Sequence, residues 1–135
     1  MFFQASAFNG DLSKWNVGQV TNMDNMFNGA KSFNQDLSKW NVRKVANMRN
    51  MFSGAESFNQ DLSKWDVGRV TDMSTMFKGA TSFKQVLCGA AWVFSKARKG
   101  NMFRDSPGSI ARWTCFAPQN NADLKAAVNA CLGQQ

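Results

Sequence analysis

Three lysines, Lys14, Lys39 and Lys64, each stand immediately before a tryptophan and recur at a spacing of 25 residues. A short polar residue follows each tryptophan, Asn16, Asn41 or Asp66, and an aspartate precedes each lysine by three places, Asp11, Asp36 or Asp61. Ammonium groups in a regular row can hold an anion. Aspartate and asparagine oxygens can cap turn amides or ligate calcium. Calcium wants six to eight oxygens with several carboxylates per site, and one aspartate per unit beside the neutral Asn9, Asn34 and Asn59 falls short of that. These ladders are therefore expected to stabilise turns, with no metal site. The chain contains no histidine and no tyrosine, which removes Ser-His and Cys-His nucleophile pairs and every histidine metal site. Paired carboxylates remain, but residues copied in each unit are structural, whereas an active site needs a unique pocket. The reading is of a protein with no catalytic residues and no cofactor. Cys88, Cys115 and Cys131 form no C-x-x-C motif. Cys115 and Cys131 could staple the tail to the rest of an exported chain; three free thiols are the alternative.

The elements that position these groups follow from the repeat. The pattern MF-x-x-A-x-x-F-N-x-D-L-S-K-W-x-V-x-x-V-x-x-M aligns Phe8, Phe33, Phe58 and Phe83, then Trp15, Trp40 and Trp65, then Met26, Met51 and Met76. Fixed self-similarity at this period means one supersecondary unit stacked on copies of itself. Within a unit, Leu12, Trp15 and Val17 have the L-x-x-L-x-L spacing of a leucine-rich-repeat strand, with Lys14 and Asn16 on its outer side. Met23, Met26, Phe27 and Ala30 fall at offsets 0, 3, 4 and 7, which predicts a short helix with Thr21 or Asn22 as N-cap. The expected fold is an α/β repeat solenoid, a right-handed leucine-rich-repeat-like stack with one short parallel strand and one short helix per 25-residue turn. Stacked strands would set the lysines about 5 Å apart, where two charges repel by roughly 0.8 kcal/mol in water. An anionic ligand would relieve that repulsion. The candidate binding face is Lys14, Asn16, Lys39, Asn41, Arg43, Lys64, Asp66 and Arg69, with Lys44 beside it.

The organisation is read as an array over residues 1–83, a degenerate terminal repeat or cap over 84–113, and a tail with a short helix over 114–135. In the cap, tryptophan returns two places late as Trp92, and the Met-Phe pair one place late as Met102-Phe103. Trp92, Val93, Phe94, Met102 and Phe103 are expected to cover the exposed end. In the tail, Asn121 is the candidate N-cap, Leu124, Ala127, Val128 and Cys131 the apolar face, and Gly133 the stop. Residues 1–83 carry nine basic against seven acidic side chains, and residues 84–135 seven against two, so the net charge of +7 sits mostly at the C-terminal end. With 44% hydrophobic residues and no apolar run of membrane-spanning length, the composition reads as a folded domain without a membrane span. Met1-Phe2 is already in register with Met26-Phe27, so the chain is expected to continue a longer array and to contact neighbouring repeats.

The run DLSKWNVGQVTNMDNMFNGAKSFNQ, residues 11–35, and its copies at 36–60 and 61–85 resemble the repeat of the BspA-like leucine-rich-repeat surface proteins, also described as the DUF285 repeat. The resemblance rests on W-[ND]-V-x-x-V-T-[ND]-M-x-x-M-F followed by A-x-x-F-N-Q-D-L, and it covers about two thirds of the chain. It implies a cell-surface or secreted location and a non-enzymatic role in adhesion or protein binding, and it brings no catalytic residues. The reading is then of a binding module whose protein or anionic glycan partner meets the strand face. One alternative is a polyanion or nucleic-acid binder using the lysine row and the basic C-terminal segment. Nucleic acid is disfavoured because the tryptophans and phenylalanines are assigned to the core, leaving no aromatic for base stacking. The other alternative is a purely structural spacer.

Overall fold

Two positions decide the local structure of each unit. A computed structural model describes residues 1–115 of the 135. In it Asn25, Asn50 and Thr75 have φ of 58°, 57° and 57°, and Gly29, Gly54 and Gly79 have φ of 75°, 69° and 71°. Two left-handed residues four places apart cannot sit in a right-handed helix, but they suit the third position of successive tight turns. The segment 23–30 is accordingly a run of turns, closed by Met26 N–H to Met23 C=O at 3.2 Å, Asn28 to Asn25 at 3.1 Å and Ala30 to Phe27 at 3.1 Å. The helix expected there is absent. The L-x-x-W-x-V segment is also turned rather than extended: Trp15 N–H reaches Leu12 C=O at 3.0 Å and Val20 N–H reaches Val17 C=O at 3.0 Å.

The N–H groups that the turns leave free join one unit to the next. Met23, Asn25, Phe27 and Gly29 donate to Asn47, Arg49, Met51 and Ser53 at 2.8, 3.0, 2.8 and 2.8 Å, and the same pattern recurs one unit later. The parallel bridges run Asn22↔Asn47↔Asp72↔Arg98. The inter-unit pairing thus lies downstream of the tryptophan, not on the segment expected to be the strand. Asparagine side chains add a second seam. Asn34 N–H donates to Asn9 Oδ1 at 2.8 Å, Asn59 N–H to Asn34 Oδ1 at 2.9 Å and Lys84 N–H to Asn59 Oδ1 at 2.9 Å.

The interior consists of columns of equivalent side chains. Leu12, Leu37, Leu62 and Leu87 are buried, as are Phe27, Phe52 and Phe77, and Phe33, Phe58 and Phe83. Phe27, Phe52, Phe77 and Phe103 stack with ring centroids 5.4–5.5 Å apart and planes within 5°. The period that carried these columns through the sequence therefore carries them through space. The tryptophans interlock the units. Buried Trp40, Trp65 and Trp92 send their indole N–H back to Leu12, Leu37 and Leu62 C=O at 2.9, 2.8 and 2.8 Å. Trp15, with no described unit before it, is 41% exposed and does not join that buried column.

The degenerate unit absorbs its extra residues in a four-residue helix, α1, Ala90–Val93. That insertion brings the late Trp92 into the tryptophan column. Strand β1, Val86–Leu87, pairs in parallel with β2, Ser109–Ile110. A Cβ at Gly108 would lie 2.4 Å from Phe83 Cδ1, so glycine is required where the phenylalanine column meets the returning chain. Phe94 does not cover the end as expected; it is 72% exposed. Cys88 pairs with Cys115, at a Cα–Cα distance of 4.7 Å. Neither reading left open by the sequence, a Cys115–Cys131 staple or three free thiols, holds, because 27 residues is close to one period and stacks Cys88 and Cys115 on adjacent turns. The tail helix and Cys131 lie outside the described residues.

Candidate binding face

All eight candidate residues are exposed, on turn corners rather than on a strand. Their roles differ. Asn16, Asn41 and Asp66 use Oδ1 to accept the N–H of Gly18, Arg43 and Gly68 at 3.0, 3.2 and 3.1 Å. They hold the V-x-x-V corner and position the cations around it. Asp11, Asp36 and Asp61 do the same for Ser13, Ser38 and Ser63, at 2.9, 2.8 and 2.9 Å.

Lys14, Lys39 and Lys64 are not a bare cationic ridge. Hydrogen bonds from the backbone and hydroxyl of Ser38 hold the Asp36 carboxyl below its ordinary range; burial opposes them, and Lys39 and Lys64 add the smallest lowering effects. Asp11 is lowered in the same way by Ser13, with a smaller contribution from Lys14. A shallow groove of about 260 Å³ between Asp36, Ser38, Gln60, Asp61 and Lys64 has two carboxylates for one ammonium. The aspartate row thus runs beside the lysine row, but none of the ion pairs among the described residues includes Lys14, Lys39 or Lys64.

The positive excess lies one corner further on. A groove of about 300 Å³ is lined by Gly18, Asn41, Arg43, Lys44, Asp66 and Arg69. Three cations face one carboxylate there. Asp66 sits 3.6 Å from Arg43 across the unit boundary, and Lys44 Nζ donates to Gln19 Oε1 at 2.7 Å. None of the ion pairs among the described residues includes Arg69. Exposed single pairs contribute little to stability, so these side chains are free to exchange partners for an anion. Of the expected face, Asn41, Arg43, Asp66 and Arg69 come together in this groove, while Lys14, Asn16, Lys39 and Lys64 do not line it. Lys44, one period below Arg69, belongs to it; the 25-residue alignment of these two cations was the available signal.

Arg69 also borders a neighbouring groove of about 440 Å³ with Gly68, Val70, Thr71, Ala91, Phe94, Ser95, Lys96 and Ala97. No periodicity announced it, because half of its lining comes from the irregular unit. Of the basic segment that follows, Arg98 is 3.7 Å from Asp72. Lys99 donates to Ser95 C=O at 2.8 Å and Ala97 C=O at 3.1 Å, and burial pushes its ammonium below the usual lysine value. Lys96 is the member of that segment turned toward the groove. Among the described residues there is no group of three or more histidine, cysteine or acidic side chains arranged to hold a metal ion, and no helix is long and apolar enough to cross a membrane.

A family model matches residues 1–113, and its description is "Mycoplasma protein of unknown function, DUF285". The chain belongs to the DUF285 family. The match spans all three clean repeats and the irregular unit that closes them, so in this DUF285 chain the two form one continuous stretch of family sequence. No curated protein and no solved structure matches the chain.

Proposed function

We propose that this DUF285 chain is a non-enzymatic binding and adhesion module, part of a cell-surface or secreted leucine-rich-repeat protein of the BspA-like kind. Its stacked turns are read as a short right-handed solenoid. The continuous inter-unit hydrogen bonds and the Phe and Trp columns support that architecture. The Cys88–Cys115 disulfide supports an oxidising, extracellular setting, since such bonds persist there and are rare in the cytosol.

One observation carries the choice of partner. The groove at the Val-x-x-Val corner holds Arg43, Lys44 and Arg69 against the single carboxylate of Asp66. Two guanidinium groups and an ammonium, held by turns rather than by flexible loops, suit bidentate recognition of sulfate or carboxylate groups. The proposed partner is an anionic glycan or an acidic protein surface that meets this groove. Each added unit with cations at these positions contributes another weak contact, so affinity grows by multivalency.

The test is a sulfated glycan titrated against the parent chain and two charge-neutralised variants. Arg43→Ser/Lys44→Ser/Arg69→Ser should weaken binding by about tenfold or more. Lys14→Ser/Lys39→Ser/Lys64→Ser should change it only a few-fold, because those lysines do not line the groove. Equal losses would move the site to the lysine row, and no binding by the parent would leave the spacer reading in place. A second reading has an observation of its own. Phe94 is exposed and lines one groove with Arg69 and Lys96, which gives a single-stranded nucleic acid one stacking platform in a groove with two cations. Phe94→Ser should reduce polyanion binding only if that polyanion carries bases.

A further inference from the structure

The row of cations at the Val-x-x-Val corner does not stop with the clean units. Lys44 and Arg69 stand four places after Trp40 and Trp65, and Lys96 stands four places after Trp92. Trp92 makes the column bond of its predecessors, Nε1–H to Leu62 C=O at 2.8 Å, so counting from the tryptophans compares like positions. The neighbours of the cation change at the same step. One place after the tryptophan, Asn41 and Asp66 give way to Val93, so the irregular unit has no carboxylate there. Two places after it, the buried Val17, Val42 and Val67 give way to Phe94, which is 72% exposed. The cause is local. Phe94 is the C-cap of α1, with its N–H on Ala90 C=O at 3.0 Å, and that turn sends outward a position that faces the core in the other units.

The groove of about 440 Å³ that these residues share therefore has a character of its own. Its flanks are two described segments, 68–71 and 91–97, and each supplies one cation, Arg69 and Lys96. No acidic side chain lines it, and none of the ion pairs among the described residues includes either cation. Val70, Ala91, Phe94 and Ala97 give it apolar surface. Its two hydroxyls are engaged within the chain: Thr71 Oγ1 donates to Ala46 C=O at 3.1 Å, and Ser95 Oγ accepts the Ala97 N–H at 3.2 Å. Sugar hydroxyls pressed against this surface would lose water and gain few hydrogen bonds, which is costly. An apolar side chain gains by burial there. A single-stranded nucleic acid stacks successive bases on successive aromatics, and Phe94 is the single aromatic in the lining. Arg69 lines both this groove and the cationic one with Arg43 and Lys44, so one ligand can touch both.

We propose that the partner is an acidic polypeptide segment carrying one large apolar side chain. Its carboxylates engage Arg43, Lys44, Arg69 and Lys96, and the apolar side chain seats against Phe94, Val70 and Ala91. The proposal rests on the anionic-partner reading above and narrows it from an anion in general to a protein. The cations supply attraction and salt dependence, and the Phe94 groove supplies the choice among anions.

The experiment uses the full chain and measures the affinity of four probes: the peptide EDEFEDE, its equally charged companion EDESEDE, the sulfated glycan and an oligothymidylate. The parent should bind the phenylalanine peptide about tenfold or more tightly than the serine peptide. Phe94→Ser, at an exposed position, should remove that preference by weakening the phenylalanine peptide alone. Unchanged glycan binding by the same variant reports that it is folded. Lys96→Ser should weaken both peptides a few-fold, and so should added salt. Equal affinity of the parent for the two peptides, or a preference that survives Phe94→Ser, would overturn the proposal, while glycan binding would leave the anion site standing. Binding of none of the four probes would overturn the anion reading and this proposal with it. An oligothymidylate that outcompetes the phenylalanine peptide and loses affinity in Phe94→Ser would also overturn it and give the groove to nucleic acid.

Discussion

Replacing Trp65 by phenylalanine tests whether the tryptophans lock one unit to the next. Trp65 is buried, lies 6.4 Å from the Phe52 ring, and donates Nε1–H to Leu37 C=O at 2.8 Å. The substitution keeps an aromatic ring in the column and removes that bond. Leu37 C=O still accepts the backbone N–H of Trp40 at 3.0 Å, so no buried carbonyl is orphaned, and the loss is that of an ordinary hydrogen bond, about 0.5–1.5 kcal/mol. The missing ring atoms leave apolar area and packing unfilled, which costs roughly 1–2 kcal/mol more. The expected total is about 1.5–3.5 kcal/mol. Trp15→Phe is the internal control. Its indole is 41% exposed and makes no such bond, so its cost should stay below about 1 kcal/mol. Urea unfolding of the parent and both variants, followed by near-ultraviolet circular dichroism, reads the difference. Equal destabilisation by the two substitutions would refute the interlocking argument, since it would mean that burial of any tryptophan matters and the indole ladder does not.

Thr75 is a β-branched residue with φ of 57° where the other two clean units have asparagine, so Thr75→Asn should stabilise the chain by roughly 0.5–1.5 kcal/mol, read as a raised urea midpoint. Cys115→Ser removes a cross-link over 27 residues and should cost about 2–4 kcal/mol, or less if the cap unfolds independently; reductant should leave the variant's midpoint unchanged while lowering the parent's. Asp36 and Asp72 are held below the ordinary carboxylate range chiefly by hydrogen bonds from Ser38 and Ser74. A depressed folded value means that their stabilisation is complete above about pH 4 and is lost as pH falls through the folded value. The unfolding midpoint should therefore be flat from neutrality to about pH 4 and decline below it, and Asp36→Asn/Asp72→Asn should decline less.

The 25-residue period was enough to place the Leu, Phe and Trp columns, because stacked units put copies of one position directly above each other. It was not enough to place the secondary structure. Met23, Met26, Phe27 and Ala30 point inward at helical offsets, yet two consecutive tight turns repeat at nearly the same interval as a helix. The discriminating signal was local: Asn25 and Asn50 with Gly29 and Gly54, two residue types tolerant of positive φ, four places apart in the first two units. The Cys88–Cys115 pairing was missed, although its 27-residue separation is close to one period and was the available signal. The candidate face was legible only as exposure. Charge counting along one row gave weight to Lys14, Lys39 and Lys64, whereas the clustering of Lys44 with Arg43 and Arg69 emerges only when adjacent turns are laid side by side. The exposure of Phe94 had no sequence signal, because it depends on how α1 absorbs the extra residues.

The measurement that bears most directly on the binding proposal is an amide and side-chain chemical-shift titration of the parent chain with a sulfated glycan. The account predicts that the largest changes fall on Arg43, Lys44, Asp66, Gly68 and Arg69 and diminish as salt is raised. Changes confined to the lysine row or to residues around Phe94 and Lys96, or no change at all, would contradict it.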